Sequence, residues 1–273
     1  MPTLFLVATP IGNLEDFSPR AQRILSEVQL IAAEDTRHSR KLLSHFGIQT
    51  PLTSYFAHNE RVKLDRIMET LAQGDVALIS DAGMPGINDP GYLLVQAALQ
   101  AGHTVSPVPG PSAPVAALAA SGLPSDQFLY LGYPARKAGE RRQEFERVAA
   151  LPYTLVFLES PHRLLATLQD LLATFGDRQV VVAAEISKLY ERFWRGPLSE
   201  AVSVFAQEPA RGEFTLVVAG ATAGSETWDE ARVRAALQAA SDEPPSSLAR
   251  RVAVQAGWRR SKVYDLLRSL QDD

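Results

Sequence analysis

The stretch VALISDAGMPGINDPG, residues 76–91, is an apolar run of four residues followed by a loop rich in glycine. Such a run is typical of a buried strand, and a glycine-rich loop at its carboxyl end is typical of a ligand-binding turn in an α/β sheet. The charged residues of the loop are Asp81 and Asp89, and no Lys or Arg occurs between Gly74 and His103. The stretch therefore predicts an α/β fold and a ligand with positive charge or hydroxyl groups, and it disfavours a polyphosphate.

Four more apolar runs lie in the first 110 residues: LFLVA, VQLIAA, LTSY and TVSPV. Segments with helical spacing separate them. In one of these segments Leu64, Ile67, Met68 and Leu71 repeat at i, i+3, i+4 and i+7, and Gly74 supplies a stop. Strands that alternate with helices predict a mostly parallel sheet with helices on both faces.

The same pattern restarts after the Gly122-Leu123-Pro124 turn. Five further runs follow, namely FLYLGY, TLVFLES, VVVAAE, ERFWRG and FTLVVAG, and then a polar segment, TAGSET, precedes a stretch with only helical spacing. The sequence therefore predicts two consecutive α/β domains, residues 1–121 and 122–222, and a helical module over residues 223–273.

The charge and composition of the chain exclude several classes of function. The net charge of −4 provides no overall positive field for nucleic acid, so any such partner requires local basic patches. The chain has no cysteine, which excludes disulfides, cysteine-bound zinc, iron–sulfur clusters and thiol catalysis. The start, MPTLFLVATP, has the pattern of a first strand and lacks a basic segment or an apolar stretch of spanning length, so we expect a cytoplasmic protein without a membrane partner.

Four loops follow predicted strands of the first domain: ATPIGN, AAEDTRHS, SDAGMPGINDPG and VPGPSAP. None matches the G-x-G-x-x-G fingerprint or the Walker P-loop, which disfavours NAD and ATP. S-adenosylmethionine, with its ribose diol, adenine, ammonium and sulfonium, suits an acidic glycine loop. The alternative is that Asp81, Asn88 and Asp89 only cap turns and the next helix, and for Asp89 we expect the helix cap.

The order and spacing of five segments resemble the class III methyltransferases of the tetrapyrrole-methylase superfamily: ATPIGNLED, IAAEDTRHS, SDAGMPGINDPG, VPGPSA and GLPSDQF. The resemblance continues through FLESPHRLL, AAEISKLYE and GEFTLVV into the tail. Within the superfamily, the chain most resembles the branch that acts on small-subunit ribosomal RNA. It implies S-adenosylmethionine in the cleft between two α/β domains, usually in a homodimer. It also implies 2′-O-methylation of a cytidine in the decoding centre of 16S rRNA, within the 30S subunit.

The resemblance implies a set of cofactor-binding positions that comes from both domains. In this chain they are Pro10, Asp81, Ala82, Gly83, Met84, Ser112, Ala113, Phe157, Glu159, Ala184, Glu213 and Thr215. The strands that carry the second-domain positions are equally consistent with plain core packing. Methyl transfer from a sulfonium requires no metal, and no group of metal-binding residue types in the sequence has ligand spacing.

The candidate catalytic residues lie at the end of the second predicted strand. Glu34 or Asp35 is placed to accept the proton of a ribose hydroxyl, and Arg37 to hold an RNA phosphate. The alternative is that Asp35 or Thr36 is an ordinary N-cap of the following helix.

Two segments are candidates for RNA contact. Residues 135–148 hold five basic and three acidic residues, which fits either a phosphate-binding loop or a solvated helix. In the tail, Ala253, Gly257 and Val263 have the spacing of a helix-turn-helix, and Arg259, Arg260 and Lys262 open its second helix. Its expected apolar positions are filled by Val252, Ala256, Trp258 and Leu266. We interpret the tail as an RNA-docking module.

Two rival functions remain compatible with the sequence. One is another class III methyltransferase, acting on a tetrapyrrole or a protein. The other is a transcription regulator with a small-molecule-sensing core and a DNA-binding tail.

Overall fold

The computed structural model describes residues 1–56, 58–207, 210–221, 228–239, 244–256, 258 and 260–271. Within these residues ten strands form two five-stranded sheets, and the sheets are followed by a group of three helices. All ten predicted strands are present. The TAGSET linker, Gly257 and Arg259 lie outside the described residues.

The first sheet, predicted to be mostly parallel, is entirely parallel and has the order β3-β2-β4-β1-β5. Its strands are β1 (Thr3–Val7), β2 (Leu30–Ala33), β3 (Leu52–Ser54), β4 (Val76–Ile79) and β5 (Thr104–Val108). The helices of this half of the chain are α1 (Pro19–Glu27), α2 (Thr36–His45), α3 (Glu60–Leu71), α4 (Tyr92–Gln100) and α5 (Ala113–Ser121).

Strand β4 explains why this sheet is covered on both sides. All four of its residues are buried, and successive side chains point to opposite faces. Ala77 and Ile79 join a core with residues of α1 and α2, whereas Val76 and Leu78 join a core with residues of α3 and α4. A continuous apolar run is the sequence signature of such a doubly covered parallel strand.

The second sheet is mixed and has the order β6-β7-β10-β8-β9, in which only β6 and β7 pair in parallel. Its strands are β6 (Phe128–Gly132), β7 (Thr154–Glu159), β8 (Gln179–Ala184), β9 (Arg192–Pro197) and β10 (Phe214–Val218). Helices α6 (Ala138–Val148), α7 (Leu164–Phe175) and α8 (Leu198–Gln207) contribute to a core on one face.

Helix α5 joins the two sheets. Its residues Ala117 and Leu118 pack against the face of the second sheet that α6, α7 and α8 leave free. Arg195 of β9 donates hydrogen bonds to the carbonyl oxygens of Ala120 (2.6 Å) and Ser121 (3.3 Å), which satisfies acceptors at the carboxyl end of α5. The chain therefore crosses between its two α/β units through a packed helix.

The tail forms a core of its own from α9 (Glu230–Gln238), α10 (Pro245–Ala256) and α11 (Arg260–Gln271). Of the four residues predicted for the apolar positions of a helix-turn-helix, Val252 and Ala256 are buried in it, and Trp258 and Leu266 are partly buried and pack against it. Ala253 and Val263 are buried there as well. The indole of Trp258 donates a hydrogen bond to the carbonyl oxygen of Trp228 at 2.9 Å. Among the described residues, no helix is long and apolar enough to cross a membrane.

Candidate active site

The loops after β1 and β4 are bonded to each other at the carboxyl edge of the first sheet. The backbone N–H of Thr9 donates to the carbonyl oxygen of Gly83 at 2.9 Å, and the N–H of Gly83 donates to that of Thr9 at 3.1 Å. The Thr9 hydroxyl also donates to the carbonyl oxygen of Ser80 at 3.1 Å. Gly83 has a φ of +83°, so this close pairing depends on a residue that tolerates the left-handed region.

Backbone amides link the carboxylates of two neighbouring loops. The N–H of Asp35 donates to Asp81 Oδ1 at 3.1 Å, and the N–H of Asp81 lies 3.4 Å from Glu34 Oε2. Burial raises the pKa of Glu34 above its ordinary value, and the charges of Asp81 and Asp35 raise it further, although the backbone hydrogen bond from Asp81 opposes the shift. Negative charge is therefore concentrated at the ends of β2 and β4.

Asp89 belongs to the same cluster, and the prediction that it caps a helix is wrong. The N-cap residue of α4 is Gly91, and this helix has no side-chain cap. The N–H of Gly91 donates to Glu60 Oε1 of α3 at 3.0 Å. Burial, together with the nearby charge of Glu34, raises the pKa of Asp89 to about 6. Its carboxyl group therefore titrates close to neutral pH.

These carboxylates line a cavity of about 390 Å³ between the two sheets, which we call the acidic cavity. Four acidic residues contribute to its wall: Glu34, Asp81, Asp89 and Glu213. Among the described residues that line it there is no Lys, Arg or His. The remaining wall comes from Ile11, Ala82, Gly83, Met84, Ile87, Asn88, Ser112, Ala113, Pro114, Tyr130, Tyr133, Leu158, Ile186, Phe214 and Thr215.

Most of the positions implied for the cofactor converge on this cavity. The structure places eight of the twelve in its wall: Asp81, Ala82, Gly83, Met84, Ser112, Ala113, Glu213 and Thr215. Glu34 is there as well, and Pro10 lines an adjoining cavity. Ser112 and Ala113 stand at the amino end of α5, where backbone N–H groups and the helix dipole favour a negative ligand group.

The other three implied positions have side chains engaged elsewhere. Phe157 and Ala184 are part of the core of the second sheet. Glu159 is buried, accepts a hydrogen bond from the Thr167 hydroxyl at 2.5 Å and pairs with Arg163 at 3.2 Å. The side chains of these three residues therefore have a structural role in packing or ion pairing. This agrees with the alternative given above, in which the second-domain strands only form a core.

Asp35 and Arg37 form a local motif at the start of α2. Asp35 is the N-cap residue and accepts a hydrogen bond from the Arg37 N–H at 2.8 Å, and the Arg37 guanidinium pairs with the same carboxylate at 3.1 Å. These hydrogen bonds lower the pKa of Asp35 to about 2. A carboxylate with such a pKa is a weak proton acceptor at neutral pH, so the geometry favours the capping role.

A second cavity of about 590 Å³ adjoins the first, and we call it the α2 cavity. The two cavities share Ile11, Asp81, Ala82 and Glu213. The rest of its wall is formed by Pro10, Gly12, Leu14, His38, Lys41, Leu42, His45 and Lys188. The sequence analysis missed His38, Lys41 and His45, although their spacing of i, i+3 and i+7 on a predicted helix was the available signal.

Two basic residues of the segment at residues 135–148 form an ion-paired cluster with Asp170. The Arg141 side chain is buried and donates to Asp170 Oδ2 from two of its nitrogens, at 2.8 and 2.5 Å. Arg142 donates to the other oxygen of Asp170 at 2.7 Å. Two of the five basic residues therefore stabilise the packing of α6 against α7.

Comparison with known proteins assigns the family. The sequence model of the family described as Tetrapyrrole (Corrin/Porphyrin) Methylases matches residues 3–202. The chain belongs to the tetrapyrrole methylase family. This confirms the resemblance carried by the loop segments, and it makes the chain a methyltransferase of the class that uses S-adenosylmethionine.

Relatives of this tetrapyrrole methylase have the name "Ribosomal RNA small subunit methyltransferase I". The protein of that name from Halalkalibacterium halodurans is 50% identical over 80% of this chain and 76% of its own. The one from Synechocystis sp. is 44% identical over the full length of both chains. A crystal structure of uroporphyrin-III C-methyl transferase from Thermus thermophilus, complexed with S-adenyl homocysteine, shares the fold at a TM-score of 0.55 and 20% identity, covering 80% of this chain and 97% of its own.

Proposed function

We propose that this chain methylates the 2′-hydroxyl of a cytidine in the decoding centre of 16S rRNA, with S-adenosylmethionine as the methyl donor. RNA is chosen as the acceptor because of how much of the chain each sequence similarity covers. The family model ends at residue 202, and the uroporphyrin enzyme leaves about a fifth of this chain unmatched. The similarity to the Synechocystis ribosomal RNA methyltransferase, in contrast, extends through α9–α11 to the end of both chains.

The acidic cavity fits the donor in size and in charge. Its volume of about 390 Å³ falls in the range of small-molecule sites. Its four carboxylates complement an ammonium and a sulfonium, and the amino end of α5 complements a carboxylate. When bound there, S-adenosylmethionine supplies an electrophilic methyl group. Among the described residues no group of His, Asp and Glu side chains is placed to hold a metal ion.

We place the reacting groups where the two cavities meet. Asp81 and Ala82 line both of them, so a donor in the acidic cavity and an acceptor in the α2 cavity approach each other at this junction. Asp81 is the carboxylate at the junction that the neighbouring loop holds in position, through the N–H of Asp35. Its role in the proposal is to orient the ribose hydroxyl and to accept its proton. In that step the C–O bond to the methyl carbon would form while the methyl–sulfur bond of the donor breaks, with S-adenosylhomocysteine as the leaving group.

The proposal also includes a homodimer that acts in the cytoplasm on the assembled 30S subunit. The resemblance to class III methyltransferases supports the dimer. The basic residues of the tail support docking on a large RNA surface, since Arg260 and Lys262 are exposed at the start of α11.

A comparison of acceptors tests this function. Purified protein is incubated with labelled S-adenosylmethionine and, in separate reactions, with 30S subunits from a strain that lacks this modification, naked 16S rRNA and a uroporphyrinogen. We expect label in the RNA of the 30S subunit and none in the tetrapyrrole. Label in the tetrapyrrole alone, or specific duplex DNA binding without any methyl transfer, would reject the proposal in favour of one of its rivals.

A further inference from the structure

Helix α2 is rich in basic residues, although the protein has a net charge of −4. Its sequence, TRHSRKLLSH, contains two Arg, one Lys and two His and no acidic residue. The cap residue Asp35 compensates only the first of these, through its ion pair with Arg37. The helix therefore presents a net positive surface beside the catalytic cleft.

The basic residues of α2 face different surroundings. His38, Lys41 and His45 line the α2 cavity, and all three are exposed. Arg40 is exposed as well, but it lines neither of the two cavities. Within the described part of the chain, no carboxylate lies within salt-bridge distance of Lys41. The charge of Lys41 is thus available to a ligand in the α2 cavity.

The other lysine of this cavity is already neutralised. Lys188 Nζ pairs with Glu185 Oε1 at 2.9 Å and with Glu213 Oε2 at 3.1 Å. Its stem lies against Gly12, where an added Cβ would be 2.2 Å from Lys188 Cγ. Lys188 thus packs in the wall of the cavity with its charge paired, and the unpaired positive charge of the wall lies on α2.

We propose that the face of α2 formed by His38, Lys41 and His45 binds the phosphate backbone of the RNA strand next to the nucleotide that is methylated. This inference rests on the proposed function, and it makes the α2 cavity the acceptor entrance. The contrast between the two cavities supports it. The wall of the acidic cavity contains no basic residue and suits a cationic donor, whereas α2 brings three basic residues to one wall of the α2 cavity, which suits a polyanionic acceptor. From His38 to His45 the helix rises about 10 Å, which lets this face accompany a strand over more than one nucleotide.

Binding of this kind has a measurable signature. A lysine that neutralises a phosphate releases a counterion, so its loss weakens binding and lowers the dependence of affinity on salt. A lysine on an ordinary solvated face changes neither quantity. The neighbouring Arg40 provides a matched control, because it carries the same charge on the same helix outside both cavities.

The experiment compares Lys41→Gln, Lys41→Gln/His45→Gln and Arg40→Gln in methyl transfer to the 30S subunit at several salt concentrations. For Lys41→Gln we expect KM for the subunit to rise about 5- to 10-fold, and the slope of log KM against log salt to fall by about 0.7 to 0.9, as for one lost phosphate contact. The double variant shows a larger rise. The Kd for S-adenosylmethionine and the kcat at saturating subunit stay within twofold of the wild type, and Arg40→Gln behaves as the wild type.

Three outcomes overturn the inference. If the wild type methylates the RNA and Lys41→Gln matches Arg40→Gln in KM and salt slope, the α2 face does not bind the backbone, although the proposed function stands. A loss of cofactor affinity in Lys41→Gln would place Lys41 at the donor site instead. If the wild type transfers no methyl group to any RNA, the inference and the proposed function fail together.

Discussion

Asn88 and Gly132 lie in contact across the cleft, one from each half of the molecule. A Cβ atom on Gly132 would be only 2.2 Å from Asn88 Nδ2, and both residues have a positive φ, +63° for Asn88 and +65° for Gly132. Asn88 belongs to the acidic loop, and Gly132 ends β6 at an irregularity in its pairing with β7. The acidic loop thus meets the end of β6, next to Tyr130 and Tyr133, and both tyrosines line the acidic cavity together with Asn88.

The first prediction concerns this contact. Gly132→Ala strains the backbone and displaces Asn88, so we expect a loss of stability of about 1 to 2 kcal/mol and weaker binding of S-adenosylmethionine. Urea unfolding and titration calorimetry measure the two effects. Gly139→Ala is the control, since a Cβ on Gly139 meets nothing within 4 Å and its φ is negative. If Gly132→Ala has the same stability and cofactor affinity as Gly139→Ala, the contact with Asn88 is not important. In a Gly132→Ala/Asn88→Ala double variant, part of the lost cofactor affinity should be restored.

The second prediction is a pH dependence of cofactor binding that originates in Asp89. A cationic ligand binds more tightly to the ionised carboxylate, and the pKa of Asp89 is raised to about 6 in the free protein. We therefore expect the Kd for S-adenosylmethionine to fall as pH rises from 5 to 7, by up to about tenfold per pH unit below 6. Asp89→Asn should flatten this profile.

The same group affects the stability of the free protein. Because the pKa of Asp89 in the folded protein lies above the ordinary aspartate value of 3.8, the folded protein holds this proton more tightly than the unfolded chain does. The stabilising contribution of Asp89 is complete below the unfolded pKa and is lost as pH rises through about 6. Asp89→Asn should remove this decline from the free energy of unfolding, and an unchanged pH profile in that variant would show that Asp89 is not its source.

The fold could be predicted almost completely from apolar periodicity. The runs that became strands are short and bounded by turn residues, and β4 is apolar throughout because both of its faces are covered. The direction of the strands in the second sheet could not be predicted, since a strand has the same pattern in parallel and antiparallel pairing. Nor did the spacing show that α5 packs on the second sheet, because its small apolar residues form no distinct stripe.

The third prediction separates the two roles considered for Asp35. Asparagine is as good an N-cap as aspartate but carries no charge. If Asp35 only caps α2, Asp35→Asn keeps turnover within a few-fold of the wild type, whereas Asp35→Ala lowers the melting temperature. A loss of turnover of a hundredfold or more in Asp35→Asn, with normal stability and cofactor affinity, would show that Asp35 contacts the acceptor.

The fourth prediction concerns the buried ion pair between α6 and α7. Asp170→Ala leaves the buried Arg141 guanidinium without its partner, so we expect a loss of about 3 to 5 kcal/mol in the free energy of unfolding. Glu140→Ala, which removes an exposed pair with Lys137 on the same helix, should cost less than about 1 kcal/mol. Urea unfolding of both variants measures the difference. Equal effects would mean that Asp170 has no special structural role.

The candidate site could be predicted in part. Glycines and aspartates at the end of an apolar run predicted that the acidic loop binds a ligand. The structure brings Asp81, Ala82 and Gly83 of this loop into the wall of the acidic cavity. The burial of Asp89 beside Glu34 could not be predicted, because it depends on how the loop after β4 packs against the loop after β2, and no local pattern reveals that. Likewise, Arg37 is the first basic residue of α2, but the helix turns Lys41 toward the cavity and leaves Arg37 paired with Asp35.

The central claim is that methyl transfer to a ribose hydroxyl takes place at Asp81, where the two cavities meet. The most direct measurement is nucleoside-resolved mass spectrometry of 16S rRNA from unmodified 30S subunits, after reaction with the wild type and with Asp81→Asn. We predict one 2′-O-methylcytidine with the wild type, and a rate lower by 100-fold or more with Asp81→Asn at saturating cofactor, in line with the loss of a proton acceptor worth about 10²- to 10⁴-fold. A methyl group on a nucleobase instead of a ribose would contradict the claim, and so would an Asp81→Asn variant that reacts at the wild-type rate.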